Sequence, residues 1–449
     1  MNNRDIEWHG KKLEVIRREL ESGQLNALRE LLPDEVIRPV CEDGGYYFRT
    51  RLLTPLVTIF HMLSAAISRE GSFQSAWHMS GQVGRSGALS GARRRLPLAI
   101  WEGLHAWMMR EIEQESHGQD RWRGHRMIGL DGTFVSMSDE PELAEHFGRW
   151  NSKHGASRFP QARIVVAFNL KSLVNVAHKA DRCRASEKEL GRKVTICLKA
   201  GDVAVFDRLY SGANLYAEYQ RVGIEFIGRA HACLKVERLK TIESFSSKDK
   251  VVELPIDPRY LREDPALPKT VTVRMIKTTA KVEGRRESFW VATSLLDPQR
   301  YPITEIISWQ KKRWKVETLI EEMKIWLGAD ILRSKTAEGI YKEIHARIIG
   351  LNLIHWLILK AAEKHGQEPE RLSVSSALRL AASYRLKMST AAGWQLPLLY
   401  EQMLERIAKA RVIFRPDRLE PRMRKREPRN YPRLRITRSE WRKANIMTP

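Results

Sequence analysis

Two short apolar runs in this chain each end in an aspartate. Ile128-Gly129-Leu130-Asp131 lies inside Met127 to Val135, a stretch rich in strand formers, and Asp202-Val203-Ala204-Val205-Phe206-Asp207 repeats the arrangement. An ionised carboxylate among apolar strand residues is costly to bury unless a cation or hydrogen-bond donors compensate. Each acid therefore has a partner, or it caps a turn at a strand end, which is the simpler reading of Asp131 taken alone. Two strands each delivering an acid, together with a third acid, suit magnesium, which takes oxygen ligands in an octahedral array and serves two-metal phosphoryl transfer. Asp202 is a rival for the second position, but it stands at the start of its strand.

A third acid comes from Trp309 to Leu327, where Val316, Ile320, Met323 and Leu327 form one apolar helical stripe. Arg313, Glu317, Glu321 and Lys324 border that stripe. Arg313 with Glu317, and Glu321 with Lys324, also have the spacing of a solvated, salt-bridged face. Trp309, Trp314 and Trp326 flank these charges, and indole rings beside Arg and Lys suit bases and phosphates.

Charge narrows the partner. The 77 Lys and Arg exceed the 54 Asp and Glu, giving +23, so a large polyanion is expected, nucleic acid first, with a basic surface kept for solubility as the alternative. Between Arg406 and Lys443, fifteen Lys and Arg face four acids, and such a block repels itself unless phosphates neutralise it. Cys41, Cys183, Cys197 and Cys233 lack zinc-ligand spacing and read as reduced core thiols. The first residues form no apolar signal segment and the longest apolar runs are too short to span a bilayer, so a soluble cytoplasmic protein with no membrane contact is expected.

The pattern divides the chain into five parts. Residues 1–120 read as helical, with Leu52, Leu56, Ile59, Phe60, Leu63 and Ile67 at helical spacing and a Gly and Ser loop from Gly84 to Arg95 that runs into a basic cluster. Residues 121–224 carry strands Met127 to Val135, Ala162 to Leu170 and Asp202 to Phe206, with a short helix from Leu215 to Arg221, as in a mixed α/β core. Residues 225–300 read as an inserted β-rich module, and 301–362 as helical, first to about Leu327 and then from Gly339. Residues 363–449 continue as helices beyond Ser373 and end, after Pro416, in a basic tail.

Taken together, Leu130-Asp131-Gly132-Thr133, Asp207-Arg208-Leu209-Tyr210, and Arg313-Trp314-Lys315-Val316-Glu317 with Lys324 resemble the DDE transposases of bacterial insertion sequences. The group is the one with a Tyr-x2-Arg-x3-Glu-x6-Lys signature, the IS-four-like transposases. Thr293 to Pro298 before the signature helix and Leu332 to Thr336 after it add to a likeness that spans roughly residues 50 to 360. Gln310 stands where the signature has tyrosine, and Leu209 where relatives often have glycine.

The resemblance implies an RNase H-like mixed-sheet catalytic core interrupted by a β-rich insertion, with helical N-terminal and C-terminal regions. It implies catalysis by Asp131, Asp207 and Glu317 holding two magnesium ions, with manganese as a substitute, and phosphate contacts from Arg313, Lys324 and Gln310. Trp290, or its neighbour Phe289, becomes a stacking partner for a flipped base and Trp314 a second, with core packing the alternative for Trp290. The activity implied is metal-dependent cleavage of double-stranded DNA at element ends and strand transfer into target DNA, by a homodimer in the synaptic complex. A nuclease that does not rejoin, and a decayed DNA-binding relative, remain the other readings.

Overall fold

The computed structural model describes residues 34–43, 45–47, 53–67, 86–116, 118, 120–152, 155–282, 285–326, 328 and 330–412. Leu52, Leu327, most of the basic block after Arg411 and the tail after Pro416 lie outside them.

Among the described residues four helices come first: α1 (Asp34–Asp43), α2 (Pro55–Ile67), α3 (Ser86–Arg95) and α4 (Leu98–Glu115). The Gly and Ser segment expected as a loop is helical from Ser86, correcting that expectation. Leu89 and Ala92 are buried, and Arg93, Arg94 and Arg95 fill the last turn, where cations favour the helix dipole.

The strands and helices of the middle region are β1 (His125–Met137), α5 (Pro141–Phe147), β2 (Gln161–Asn169), β3 (Asn175–Arg182), α6 (Glu187–Thr195), β4 (Val203–Phe206), α7 (Ala213–Arg221) and β5 (Glu225–Arg229). Four more strands and a short helix follow, β6 (Lys240–Ser246), β7 (Asp249–Pro255), α8 (Pro258–Glu263), β8 (Thr270–Val282) and β9 (Arg285–Thr293). They form one mixed sheet in the order β3-β2-β1-β4-β5-β9-β8-β7-β6. Only β1–β4 and β4–β5 among these neighbours are parallel, and β5 is reached through α7, the crossover that parallel pairing needs. The β-rich stretch does not stand apart, because β9 pairs antiparallel with β5 at Val291 to Arg229 and prolongs the same sheet.

Side chains alternate between the two sheet faces. Met127, Val135, Val203 and Val205 enter one core with Val316, Leu319, Ile320 and Met323; Ile128, Leu130, Ala204 and Phe206 enter the other with Leu190, Val194, Leu215 and Tyr219. On the first face lie α9 (Ile303–Lys312), α10 (Lys315–Glu321), a π-helical turn at Glu322–Trp326, and then α11 (Ala337–Lys364), α12 (Val374–Thr390) and α13 (Leu396–Lys409). The expected single helix from Pro302 to Leu327 is thus broken at Arg313–Trp314.

Helix α11 packs on both sides, with Ile348 and Leu351 toward the sheet and Ile349 and Leu353 toward α2 and α4. It is the one helix among the described residues long and apolar enough to cross a membrane, and 83% of its apolar window is buried within the protein. Of the cysteines, Cys41 and Cys183 are buried, whereas Cys197 and Cys233 are exposed and not core thiols.

Candidate active site

Asp131 lies in the middle of β1, six residues before its end, so it is not a strand-end cap. Two residues earlier on the same face, Gly129 lets α10 press against the sheet. A Cβ at Gly129 would meet the Val316 side chain at 2.4 Å. That contact brings Glu317, the next residue of α10, to the face on which Asp131 stands. The break at Arg313–Trp314 turns the Arg313 guanidinium inward: its Nη1 donates to Asp131 Oδ2 and its Nη2 to Glu317 Oε1, each at 3.1 Å.

Asp207 follows the end of β4. The parallel ladder pairs Met127 with Val203 and Gly129 with Val205, and the same register carried two residues further puts Asp131 level with Asp207. The Asp207 carboxylate accepts from the Leu209 backbone N–H at 2.8 Å and caps a short turn at Arg208–Tyr210. Burial pushes the Asp131 carboxyl above the usual carboxylate range. Arg313 and the Gly132 N–H pull it back, while the charges of Asp207 and Glu317 raise it, so Asp131 lies in the field of both other acids. Asp202, the rival, is 2% exposed and held by Arg126 through two hydrogen bonds of 2.8 and 2.6 Å; it is a structural acid at the other end of the strand.

The remaining expected residues separate into those near the acids and those elsewhere. Trp314, beside Arg313, is 66% exposed and open to stacking. Trp309 is buried against Trp122, with ring centroids 5.9 Å apart, and serves the core. Gln310 donates to the Phe206 carbonyl at 3.2 Å, tying α9 to the strand end next to Asp207. Lys324 falls in the π-helical turn, where burial lowers its amine while the Asp330 charge raises it. Trp290 packs partly buried on the second core, with the Lys250 and Lys277 amines 5.8 and 5.4 Å from its ring. Its neighbour Phe289 carries the Arg229 guanidinium 4.4 Å from its ring.

Residues 122–353, just over half of the 449, match the family Transposase DDE domain. The chain belongs to the DDE transposase family. The transposase is 24% identical over 314 residues to Transposase InsG for insertion sequence element IS4 of Escherichia coli strain K12, covering 69% of this chain and 70% of InsG. It is 27% identical over 137 residues to InsZ of the same strain, covering 30% of this chain and 46% of InsZ. Among solved structures, a piggyBac transposase synaptic complex with hairpin DNA aligns at a TM-score of 0.41 and 9% identity, over 86% of this chain and 85% of that one.

DDE transposases are enzymes that use divalent metal ions, and the donor set of this transposase fits one chemically. Asp131, Asp207 and Glu317 are hard oxygen donors, and a single guanidinium, that of Arg313, bridges two of them. Among the described residues no three acidic, His or Cys side chains yet close on a common point, since Arg313 lies between Asp131 and Glu317.

The sequence pattern missed β3 and α6, and with them Glu187 in the first turn of α6. Glu187 reaches Arg163 and Tyr210 behind the two aspartates. Its only signal was Ser186 followed by Glu189, the spacing of a helix cap, and Ser186 does accept from the Glu189 N–H at 3.3 Å.

Proposed function

We propose that this transposase cuts DNA at the ends of its own insertion sequence and joins those ends to target DNA, through an RNase H-like core built on β1 and β4. The observation that carries this reading is the placement of Asp131, Asp207 and Glu317 on one face of the sheet, from two adjacent parallel strands and the helix packed across them, with Arg313 between Asp131 and Glu317. Acids brought together in this way repel one another unless they share cations.

Asp131 and Asp207 would hold two magnesium ions, or manganese in their place, with Glu317 completing one of the sites. Bound there, the pair supplies neutralisation of charge on the attacking and the leaving oxygen. The chain's own residues do the rest. Arg313 exchanges its acids for DNA phosphate, Lys324 adds a second phosphate contact, and Gln310 keeps the Asp207 strand end fixed against α9. Trp314 stacks on an exposed base, and Trp290 with its two lysines contacts DNA from β9, where the sheet continues beyond β5. No serine or tyrosine nucleophile is required, because a hydroxyl oxygen attacks phosphorus directly.

Residues 1–120 would recognise the element end, and residues 363–449 would supply dimer contacts and phosphate neutralisation. Excision through a hairpin, a synaptic homodimer and a cytoplasmic, nucleoid-associated location complete the reading.

The test is cleavage and joining of a supercoiled plasmid carrying the gene's own flanking DNA, with magnesium, comparing wild type with Glu317→Gln. Cuts at defined ends and joined products, lost in the variant while DNA binding persists, support the reading. Cutting without joined products would assign a nuclease instead.

A further inference from the structure

Glu187 is a half-buried carboxylate, 22% exposed, for which the three-acid chemistry has no use. It opens α6 on the sheet face opposite Asp131 and lies over Gly132, where a Cβ would meet its carboxyl carbon at 2.4 Å. Its Oε2 accepts from the Arg163 guanidinium at 2.9 Å and its Oε1 from the Tyr210 hydroxyl at 3.2 Å. Tyr210 ends the turn that Asp207 caps. Its ring is 1% exposed and presses on Gly191, one helical turn after Glu187, where a Cβ would meet the ring at 2.4 Å. Two glycines therefore make the room in which Glu187 and Tyr210 meet.

The arrangement matters because the two aspartates are held differently. Asp131 is fixed inside β1, paired in register with Val166 of β2. Asp207 lies past the point where the β1–β4 ladder stops, at Gly129 with Val205, so no ladder bond ties its backbone to β1. Ser211 and Gln310 anchor the Asp207 turn to β5 and α9. Toward β1 and β2 the described link is Tyr210 to Glu187 to Arg163. Arg163 is the cross-strand partner of Phe134, three residues beyond Asp131, and its guanidinium stands 4.5 Å from the Phe134 ring and 5.2 Å from that of Trp150.

We propose that Glu187 is a positioning residue that sets the separation of Asp131 and Asp207, and through it the affinity of the site for divalent cations, by joining the Tyr210 turn to the strands that carry Asp131. The inference rests on the metal site proposed at the three acids. Glu187 touches neither ion nor DNA. A strut of this kind acts on ligand geometry, and loss of contacts that orient metal ligands typically costs roughly 10–100-fold in metal affinity.

The experiment measures Mn²⁺ binding to the full chain by isothermal titration calorimetry, with thermal melting and metal-free binding to end DNA recorded alongside. Glu187→Ala should weaken Mn²⁺ binding by roughly tenfold, at the lower end of what such supporting contacts contribute, with DNA binding unchanged. Tyr210→Phe removes one oxygen and should reproduce part of the shift; Glu187→Gln, whose amide oxygen still accepts from Tyr210, should restore part of it. Should Glu187→Ala melt too low to assay, Tyr210→Phe decides. Wild-type Mn²⁺ isotherms in folded Glu187→Ala or Tyr210→Phe overturn the proposal. Asp131→Asn is the control: loss of Mn²⁺ binding there keeps the metal site and confines the failure to the strut, whereas wild-type binding in Asp131→Asn overturns both.

Discussion

The Arg313 guanidinium bridges Asp131 and Glu317, 3.1 Å from an oxygen of each, so the residue at the break between two helices is the counter-ion of two of the three acids proposed to hold metal. Removing it leaves a partly buried carboxylate facing like charges. Arg313→Ala should lower stability in EDTA by about 2 kcal/mol, the scale of hydrogen bonds to charged groups, and added Mg²⁺ should narrow the gap. Asp131 is already raised by burial, and losing Arg313 raises it further. A raised acid favours the fold while it is protonated and loses that advantage as pH rises through its folded value. The deficit should therefore be full at neutral pH and shrink toward acid. Urea midpoints that ignore both the substitution and Mg²⁺ would sink this account.

Gly129 is the contact that admits α10. Gly129→Ala adds a methyl where Val316 already stands 2.4 Å from its position. Overpacking of this kind costs about 1–3 kcal/mol, and the displaced helix carries Glu317 with it. The variant should lose cleavage rate out of proportion to its loss of urea stability; a proportionate loss would mean that α10 accommodates the methyl without moving Glu317.

Asp202 and Asp207 are five residues apart and should fail in opposite ways. Asp202→Ala takes from the buried Arg126 its hydrogen-bonded partner, leaving only Glu113 at 3.7 Å among its ion pairs with described residues, and should cost roughly 3 kcal/mol, the low end for loss of one partner of a buried ion pair. Asp207→Ala gives up one cap to Leu209, about 1 kcal/mol, but should abolish cutting. Melting curves and plasmid cleavage on the two variants check the contrast, and a stable, inactive Asp202→Ala would reverse the assignment.

His105 and His178, both buried, and the half-buried His345 form a chain joining α4, β3 and α11, with His178 Nε2 and His345 Nδ1 3.1 Å apart and the His105 and His178 rings edge to face at 5.1 Å. Burial lowers His105 from its ordinary 6.5 to about 4 and His345 to about 3, and Lys179 nearby adds to the effect on His345. A histidine lowered in the folded state contributes stability above its unfolded value, and that stability is lost as pH falls toward the folded one. Urea midpoints should therefore fall from pH 7 to pH 5, and fall less in His105→Gln. Equal slopes in the two proteins would place the acid sensitivity elsewhere.

Much of the site could be read from the chain because local rules dictate it. Short apolar runs of strand formers in Met127 to Val135 and Asp202 to Phe206 predict strands, and Val316, Ile320 and Met323 at helical spacing predict the face that α10 buries; all three are buried as that phase requires. The β3 strand, Asn-Val-Ala-His-Lys-Ala-Asp-Arg, escaped notice because its histidine is buried by partners on α4 and α11 that no local pattern announces. Trp309 and Trp314 looked equivalent in sequence, yet the break at Arg313–Trp314 sends one into the core and leaves the other 66% exposed.

By itself, then, the sequence determined which residues could line a strand or a helix face and which acids stood at their apolar edges, since those are consequences of backbone period and of the cost of burying charge. Only the tertiary structure decided that Asp131 and Asp207 stand level on parallel strands, that Arg313 lies between two acids, and that Glu187 supports them from the far face. Those relations depend on register, on a helix break and on the space left by Gly129, Gly132 and Gly191, which are set by contacts between segments far apart in the chain.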